Sequence, residues 1–487
     1  MRLHALDVFI IAVYLIAITL FGLRFRKSQK SLRDYFLAGR NIPWWAIALS
    51  IVAAETSTLT VIGTPGIAYG GNFGFLQLVF GYLAGRVVIT LLFIPQYFRG
   101  EMFTAYQLID RRFGTALHRI TSAVFLVTRA AAEGVRVWAV SIVILVALGT
   151  SEVGSIAIVM LLTLIYTFEG GMAAVIWTDV VQMVIYVGGT IAGFITLTHL
   201  VPGGWPAIHS AAAEAGKLRV FDFSLDFFKT YTFWAGLIGG MFLNTASHGT
   251  DQLMVQRLLS ARNERDSKVA LLSSGLVILA QFSLFLLMGA GLWFFYRLHP
   301  PTSPFPTLDY VFPAFIVDHL PRGMSGLLIA AILAAAMSNL SAALNSLSST
   351  TMIDFYTRLR PQTSERARLK LSRVATVVWG VVLFALALAS RHSRKVLETG
   401  LTIASVAYGG LLGVFLLGLL TRRATQTGTI LGMLTGLALN IYLWAETQVA
   451  WTWYVTFGAT TTFVVGYLAS LIAGDPTAKH MEADASH

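Results

Sequence analysis

The sequence predicts an all-α polytopic membrane protein with about thirteen transmembrane helices. Of its 487 residues, 56% are hydrophobic and 12% are charged, whereas soluble domains carry about 25% charged residues. Several apolar runs exceed the ~18 residues of a spanning helix, and the mean hydropathy is +0.71. Backbone polar groups must be paired within lipid, which favours helices for runs of this length. These observations exclude a soluble enzyme, a secreted disulfide scaffold and a nucleic-acid-binding protein.

Hydropathy places the thirteen spans along almost the whole chain. They cover residues 5–25, 43–69, 73–98, 117–148, 153–168, 172–200, 231–255, 269–296, 324–355, 372–390, 398–420, 427–446 and 450–473. The first run has the length of a span and no small-residue cleavage site follows it, so no signal peptide is predicted. The chain contains no cysteine, which excludes disulfides, thiolate nucleophiles and zinc–thiolate sites.

The basic residues are distributed unequally between the two predicted faces. Of the 35 lysines and arginines, 23 lie on one face and nine on the other. Because cytoplasmic connections are enriched in lysine and arginine, we expect the N-terminus outside and the C-terminus in the cytoplasm of a plasma or inner membrane. The net charge of +11 follows from this topology, so it implies no nucleic acid and no protein partner. The tail 474–487 is too short for an appended domain.

Two spans contain residues that interrupt a helix. The second span has polar residues at 55–58 and the run Gly-Thr-Pro-Gly at 63–66, and the seventh is rich in glycine and polar residues at 236–251. Proline and glycine weaken a helix, and hydroxyl side chains can satisfy the freed backbone groups. Five spans separate the starts of the two segments, which is the spacing of two five-helix inverted repeats. The alternative is that small residues simply allow close helix packing.

Four stretches in order carry a family resemblance. Residues 169–182 read EGGMAAVIWTDVVQ, which resembles the sodium:solute symporter family, whose members share G-G-x-x-A-V-x-W-T-D-x-x-Q. Residues 250–257, 320–327 and 335–356 also resemble that family, and 420–424 matches its short basic step between spans. The resemblance covers about 35–435. It implies a leucine-transporter-like 5+5 inverted repeat with one preceding and two following helices.

This resemblance divides the chain into six parts. They are a first helix and cytoplasmic loop at 1–40, core helices 1–5 at 41–200, an outer loop at 201–230, core helices 6–10 at 231–421, two peripheral helices at 422–473, and a cytoplasmic tail at 474–487. The implied function is a sodium-coupled symporter that imports a small organic solute by alternating access. A proton-coupled symporter, an uncoupled substrate sensor and a membrane-embedded enzyme stay open as alternatives, although no hydrolase or nucleotide-binding motif is present.

The resemblance also implies a binding site for Na⁺ as the coupling ion. Its ligands would be the carbonyls of Ala53, Thr56 and Ala335 and the hydroxyl of Ser338. The next position usually carries a serine or threonine in the family and is Asn339 here. An amide oxygen can coordinate sodium, but it projects further from the helix.

Some members of the family hold a second sodium ion. Asp179 and Ser341 match that position, whereas Ala342 replaces a hydroxyl that those members use. The alternative for Asp179 is a structural carboxylate that caps a helix or pairs with a basic connection, because charge costs less near the membrane interface.

Ionisable residues within spans are candidate functional residues because lipid makes them costly. Arg129, Glu133 and Arg136 share one helix face, so a structural salt-bridge ladder is the alternative for the first two. Arg136 lies deeper and can present two parallel donors to a carboxylate. Glu55 lies at the predicted break, where it could neutralise Arg136, receive a substrate amine or carry a proton. Arg86 and Asp251 complete this set.

Further candidates fall on helices that line the cavity in relatives. They are Ser57, Thr60, Gln77, Asn244, Ser247 and His248. Asn244 matches an asparagine of sugar-carrying members, but the aromatic gate that follows it there is Ser247 here, and their lysine is Gln281. A hexose is therefore not supported, and we expect a small organic anion or zwitterion. His248 could bind substrate or sense pH, or it could be a packed, hydrogen-bonded histidine.

Overall fold

The computed structural model describes residues 3–24, 37–99, 105–166, 172–356, 359–360, 362–391 and 395–473. Within these ranges nine helices are long and apolar enough to cross a membrane, or ten if one bent pair counts as a span. The all-helical membrane fold is therefore confirmed. The number of thirteen spans stays a prediction, because Glu152–Leu161 and Val374–Ser390 are shorter apolar helices. Residues 169–171 of the family motif and the tail 474–487 lie outside the described residues.

Helices α1 to α10 form the first part of the chain. They are α1 (Ala5–Leu23), α2 (Trp44–Glu55), α3 (Thr58–Gly70), α4 (Leu76–Leu92), α5 (Ile94–Tyr97), α6 (Tyr106–Phe113), α7 (Thr115–Leu148), α8 (Glu152–Tyr166), α9 (Met172–Leu200) and α10 (Gly204–Glu214). Of these, α5, α6 and α10 belong to connections between the longer helices. Helix α9 packs against α2 and against the long helix that begins at Glu264. That long helix also packs against α3.

Helices α11 to α19 form the second part. They are α11 (Gly240–Gly249), α12 (Gln252–Leu259), α13 (Glu264–Leu298), α14 (Val311–His319), α15 (Met324–Thr350), α16 (Glu365–Ser390), α17 (Val396–Leu420), α18 (Gln426–Glu446) and α19 (Tyr454–Ala473). A π-helical turn, Ala235–Gly239, leads into α11. Helices α17, α18 and α19 pack against one another, and α17 also packs against α7.

The second span is broken between α2 and α3, as the sequence predicts. The two helices are bent by 64°. The amide of Ser57 donates to the Glu55 carbonyl at 3.1 Å instead of to Ala53, and the amide of Thr60 donates to Ser57 at 2.9 Å instead of to Thr56. The carbonyls of Ala53 and Thr56 thus lose the amide partners that a continuous α-helix would supply.

The seventh span is interrupted at Thr250–Asp251, between α11 and α12. Asp251 is the N-cap of α12, and its side chain accepts from the amide of Leu253 at 2.9 Å. Glycine allows this span to approach α4 closely, because a Cβ on Gly240 would lie 2.5 Å from the carbonyl oxygen of Leu78. The seventh span therefore packs directly on α4, and the two breaks are neighbours, since His248 of α11 lies 3.3 Å from Glu55 at the first break.

The connections gather at two ends of the bundle. At one end the amide of Ile42 donates to the Ser260 carbonyl at 3.4 Å, and Arg112 donates to the Arg422 carbonyl at 2.8 Å. We call this the basic end, because these connections carry most of the lysines and arginines.

The other end, which we call the opposite end, is held by its own loop contacts. The amide of Phe73 donates to the Arg219 carbonyl at 3.1 Å, and the amide of Ala450 donates to the Phe227 carbonyl at 2.8 Å. Successive connections therefore lie at alternate ends of the bundle, as expected when each span crosses the membrane once.

Asp7 of α1 holds the start of α15 at the opposite end. Its Oδ1 accepts from the amides of Gly323 at 2.7 Å and Gly326 at 3.0 Å. Only 3% of Asp7 is exposed. A carboxylate at a helix N-terminus satisfies amides that have no partner within the helix and interacts favourably with its dipole. Asp7 thereby fixes α15 from a different helix.

We expect Asp7→Ala to destabilise the protein by about 1–3 kcal/mol, because two amides would lose their acceptor. The thermal unfolding of the purified protein in detergent measures this loss. Asp7→Asn keeps one acceptor oxygen and should lose less. Equal melting temperatures for Asp7→Ala and wild type would show that water replaces the carboxylate without cost.

Candidate functional site

A cavity of about 170 Å³ lies beside both helix breaks. Its walls come from the breaks themselves and from α7, α15 and α17. Seven predicted substrate residues line it: Glu55, Ser57, Thr60, Arg136, Asn244, Ser247 and His248. Its polar lining also includes Tyr82, Thr128, Arg129, Glu133, Asp251, Arg257, Asn339 and Tyr408. The structure thus gathers these residues around one space.

Two predicted substrate residues, Gln77 and Gln281, lie outside this lining. Gln77 is buried; it donates to the Gly74 carbonyl at 3.2 Å and accepts from the Asp222 amide at 2.9 Å. It therefore ties a loop of the opposite end to the start of α4. Gln281 is also buried, and neither its oxygen nor its nitrogen has a hydrogen-bond partner among the described residues.

Glu55 is held by two bases from neighbouring helices. Arg86 of α4 forms an ion pair with it, and His248 of α11 approaches it at 3.3 Å. Arg86 is completely buried and also donates to Ser274 at 3.1 Å. The structure therefore pairs Glu55 with Arg86 and His248, and the predicted alternative of pairing with Arg136 is wrong.

A second charge network follows α7. Arg129 lies 3.0 Å from Glu133 and 3.4 Å from Asp251, and Arg136 lies 2.8 Å from Glu133. Tyr408 of α17 donates to Asp251 at 2.9 Å. The predicted salt-bridge ladder is thus present, and it extends to the N-cap of α12.

Arg136 is the most accessible arginine of the two networks. Its side chain is 27% exposed, whereas those of Arg129 and Arg86 are 9% and 1% exposed. The Nε of Arg136 is buried and has no hydrogen-bond partner among the described residues. The accessible part of the guanidinium therefore lies at its terminal nitrogens, of which Nη1 donates to Glu133.

The residues of the predicted sodium site lie on both sides of the break. Asn339 lines the cavity, and a small adjoining cavity of about 10 Å³ is lined by Ser57, Arg136 and Asn339. Ala335 is buried one turn before Asn339 in α15. The side chain of Ser338 lies outside the described residues.

Asp179 is paired with a base, which is the structural alternative that the sequence leaves open. Its Oδ2 accepts from Ser50 at 2.7 Å and from Arg257 at 2.9 Å. Ser341, the other residue of the predicted second sodium position, is buried in α15. Among the described residues there is no group of three or more acidic, histidine or cysteine side chains that could hold a metal ion.

Sequence reasoning missed two residues of this site. Arg257 falls within the family stretch 250–257 and received no role at the site, but it lies in α12, lines the cavity and is 3% exposed. Tyr408 was missed because a single tyrosine within an apolar span carries no local signal. For Arg257, the signal was the run VQR directly after the predicted break.

The opposite end of the cavity is closed by apolar packing and one buried carboxylate. A Cβ on Gly63 of α3 would lie 2.8 Å from the Leu397 Cβ, and one on Gly66 would lie 2.8 Å from the Leu308 carbonyl oxygen. Next to them, Asp309 accepts from the amide of Val396 at 3.2 Å. Burial raises the pKa of Asp309 to about 7. Loop 299–323 therefore packs on α3 and on the start of α17 at the opposite end.

Comparisons with known proteins identify related transporters. Residues 35–436 match the model of the family described as sodium:solute symporter family. The sodium/sialic acid symporter NanT of Aliivibrio fischeri is 27% identical over 462 residues, which are 94% of this chain and 91% of the relative. The human sodium-coupled monocarboxylate transporter 2 is 28% identical over 435 residues, covering 87% of this chain and 69% of the relative.

Solved structures are also similar. The substrate-bound outward-open state of a Na⁺-coupled sialic acid symporter has a TM-score of 0.86 at 26% identity, and the match covers 96% of this chain and 98% of that one. The nucleobase-cation symporter Mhp1 has a TM-score of 0.57 at 12% identity and covers 89% of this chain and 93% of its own. The second likeness supports the fold alone.

We expect the ion pair of Glu55 and Arg86 to behave as a unit in folding. Arg86→Met or Glu55→Leu alone should destabilise the protein by about 3–5 kcal/mol, because each leaves an uncompensated buried charge. The double variant should recover much of that loss, since no unpaired charge stays behind. Thermal unfolding of all three proteins tests this expectation.

The exposed ion pair of Lys268 and Glu264, whose side chains are 31% and 41% exposed, provides the matched control. Lys268→Met should change stability by less than about 1 kcal/mol. Losses that simply add in the Glu55/Arg86 double variant would contradict the pairing.

Proposed function

Because the chain belongs to the sodium:solute symporter family, we propose that it imports a small organic anion together with sodium and binds the anion's carboxylate at Arg136. The family, the relatives and the sodium-coupled structural neighbour make the protein a sodium-coupled symporter and not an enzyme. The predicted family, fold class and coupling ion are thereby confirmed. The solute, its binding residues and the orientation of the chain are our proposals.

The single observation that carries the anion proposal is the state of Arg136. It lines the cavity, its side chain is partly exposed, and its Nε has no partner among the described residues. A planar guanidinium that is partly exposed in a cavity suits a carboxylate, which accepts two parallel hydrogen bonds. The relatives named above carry sialic acid and monocarboxylates, and both kinds of solute contain a carboxylate.

The charges around the cavity also favour an anion over a zwitterion. Glu55 is the acidic residue nearest the break, but Arg86 and His248 already contact it. Glu133 and Asp251 are likewise engaged by the arginines of α7. A substrate amine would therefore compete with a fixed cation at each carboxylate. The cation of a symported sodium ion instead complements a solute with one negative charge.

We further propose where the solute's remaining polar groups bind. Ser57, Thr60, Asn244, Ser247 and His248 line the cavity and can exchange hydrogen bonds with hydroxyl or amide groups. The ring of His248 is fixed by Ser247, whose hydroxyl lies 2.8 Å from its Nδ1. A polar wall of this kind suits a hydroxylated or acylated carboxylate.

For sodium we propose five ligands. They are the carbonyls of Ala53, Thr56 and Ala335, the hydroxyl of Ser338 and the amide oxygen of Asn339. The break frees the first two carbonyls from helical hydrogen bonding, and Asn339 faces the adjoining cavity. We propose no second sodium at Asp179 and Ser341, because Arg257 already compensates that carboxylate.

We propose that the basic end faces the cytoplasm. Cytoplasmic connections of membrane proteins are enriched in lysine and arginine, and 23 of these residues lie on that predicted face. This orientation places the N-terminus outside and loop 299–323 over the external side of the cavity. Import then requires the cavity to open first at the opposite end and afterwards at the basic end.

Sodium should stabilise the purified protein in the absence of solute. A ligand that binds only the folded state stabilises it by mass action, by about 1.4 kcal/mol at ten times its Kd. We expect sodium chloride to raise the melting temperature above that in equal potassium chloride by on the order of 1–4 °C, and Ser338→Ala to remove the difference.

The matched control is Thr435→Ala, which removes a hydroxyl from the outside of α18. This variant should keep the sodium effect. A sodium-specific rise that persists in Ser338→Ala would remove Ser338 from the proposed ligands.

Arg136→Lys should weaken solute binding by on the order of tenfold or more, although the charge is kept, because the two parallel donors are lost. The affinity for a series of carboxylates, measured by competition during sodium-driven uptake, tests this. Arg119→Lys, on an exposed position of the same helix, is the control and should transport as wild type. A wild-type affinity in Arg136→Lys would make Arg136 a structural residue.

A further inference from the structure

Arg257 lies in the cavity wall toward the basic end. It lines the cavity and yet is 3% exposed. Its Nη2 donates to Asp179 at 2.9 Å, and its Nε donates to Ser50 at 3.0 Å. Its third nitrogen, Nη1, donates to the Leu253 carbonyl at 2.8 Å within α12. The guanidinium therefore has a partner at every nitrogen and leaves no edge for a solute.

These bonds join three helices at one point. Ser50 belongs to α2 and Arg257 to α12, which are the basic-end halves of the two broken spans. Asp179 belongs to the continuous helix α9, and Ser50 also donates to it at 2.7 Å. The three side chains form a closed triangle that attaches both half-helices to a continuous one. We call this triangle the floor bridge.

Helix α12 has the shape of a movable element. It has eight residues, and Thr250–Asp251 interrupts the helix before it. Its first turn is held by Asp251, which contacts Arg129 and Tyr408. Non-helical joints at the ends of short elements absorb the changes in φ and ψ on which hinge motions depend. The floor bridge holds the end of α12 that is further from this joint.

The floor bridge also has the energetic character of a latch. The side chains of Asp179 and Arg257 are each 4% exposed. Removing one partner of such a buried pair strongly destabilises the closed structure, because the other charge stays buried without compensation. When the helices separate, water can solvate both ions, so the open state does not need the pair. An interaction that is strong in one state and dispensable in the other biases the equilibrium between them.

We propose that Arg257 is a positioning residue for transport: the floor bridge keeps the cavity closed at the basic end, and it breaks each time the cavity opens there. The proposal rests on the symporter function of the chain but not on the identity of its solute. The hydrogen bonds of Arg257 among the described residues go to Ser50, Leu253 and Asp179, none of which is a proposed sodium or carboxylate ligand, so its effect is on the opening of the cavity.

The natural absence of cysteine makes the test direct. Thr128→Cys places a single thiol in the cavity wall on α7. A membrane-impermeant maleimide is applied to right-side-out and to inside-out vesicles, and the rate of labelling is measured from each face. Arg257→Gln and Asp179→Asn are each expected to raise labelling from the basic end on the order of tenfold, and to lower it from the opposite end, as the open population grows.

Charge exchange separates this role from a loss of folding. The double variant Asp179→Arg/Arg257→Asp rebuilds an ion pair and should return labelling toward that of the Thr128→Cys protein, while Ser50→Ala should shift it in the same direction as the single variants but less. Arg262→Gln, which changes an exposed arginine of the next connection, is the control and should leave labelling unchanged.

Unchanged labelling from both faces in the two single variants would overturn the proposal. If the single variants do not fold, Ser50→Ala and the exchange variant decide in the same way. Labelling requires neither sodium nor a solute in the assay. A failure of the proposed anion function would therefore appear in uptake and competition, and a failure of the floor bridge would appear in labelling alone.

Discussion

A helix that stops in the middle of a membrane must find other partners for its backbone groups, and two such stops organise this protein. At the first, the hydroxyl of Thr60 donates to the Glu55 carbonyl at 3.3 Å. At the second, the carboxylate of Asp251 accepts from the amide of Leu253. Unpaired backbone groups would cost several kcal/mol each in lipid. The polar side chains that prevent this cost also create the polar surface on which a transport site can form.

The carboxylates at the breaks then require cations of their own. Glu55 is compensated by Arg86, and Asp251 by Arg129. Each pair also connects a break to a continuous helix, α4 in the first case and α7 in the second. Charge compensation and the positioning of the cavity wall are therefore the same interactions. Arg136 differs because it shares Glu133 with Arg129, and this sharing leaves it with hydrogen-bonding capacity for a ligand.

The sequence predicted the breaks well because their signals are local. Polar residues, glycine and proline within an apolar run identify the break at residues 55–58 without knowledge of any partner. It did not predict which cation pairs with Glu55, because Arg86 is 31 positions away along the chain and several arginines lie at similar depth. The direction of the Gln77 side chain was also not predicted, because it depends on a contact with Asp222, which is distant in sequence. The burial of Arg257 was missed because α12 has only eight residues and because the connection that follows it is rich in arginine and lysine.

The two ends of the cavity are closed by different physical interactions. At the opposite end, glycines of α3 allow Leu308 and Leu397 to pack closely, so separating these surfaces mainly exposes apolar area. At the basic end, separation breaks the ion pair of Arg257 and Asp179, whose cost depends on whether water reaches both charges. Binding of an ion and a solute can shift such an equilibrium only by their differential affinity for the two states. Glu55 and Asp251 lie at the breaks from which α2 and α12 extend to the floor bridge, and Arg136 lines the same cavity from α7. Occupancy of the cavity therefore acts on the same two half-helices that the bridge restrains.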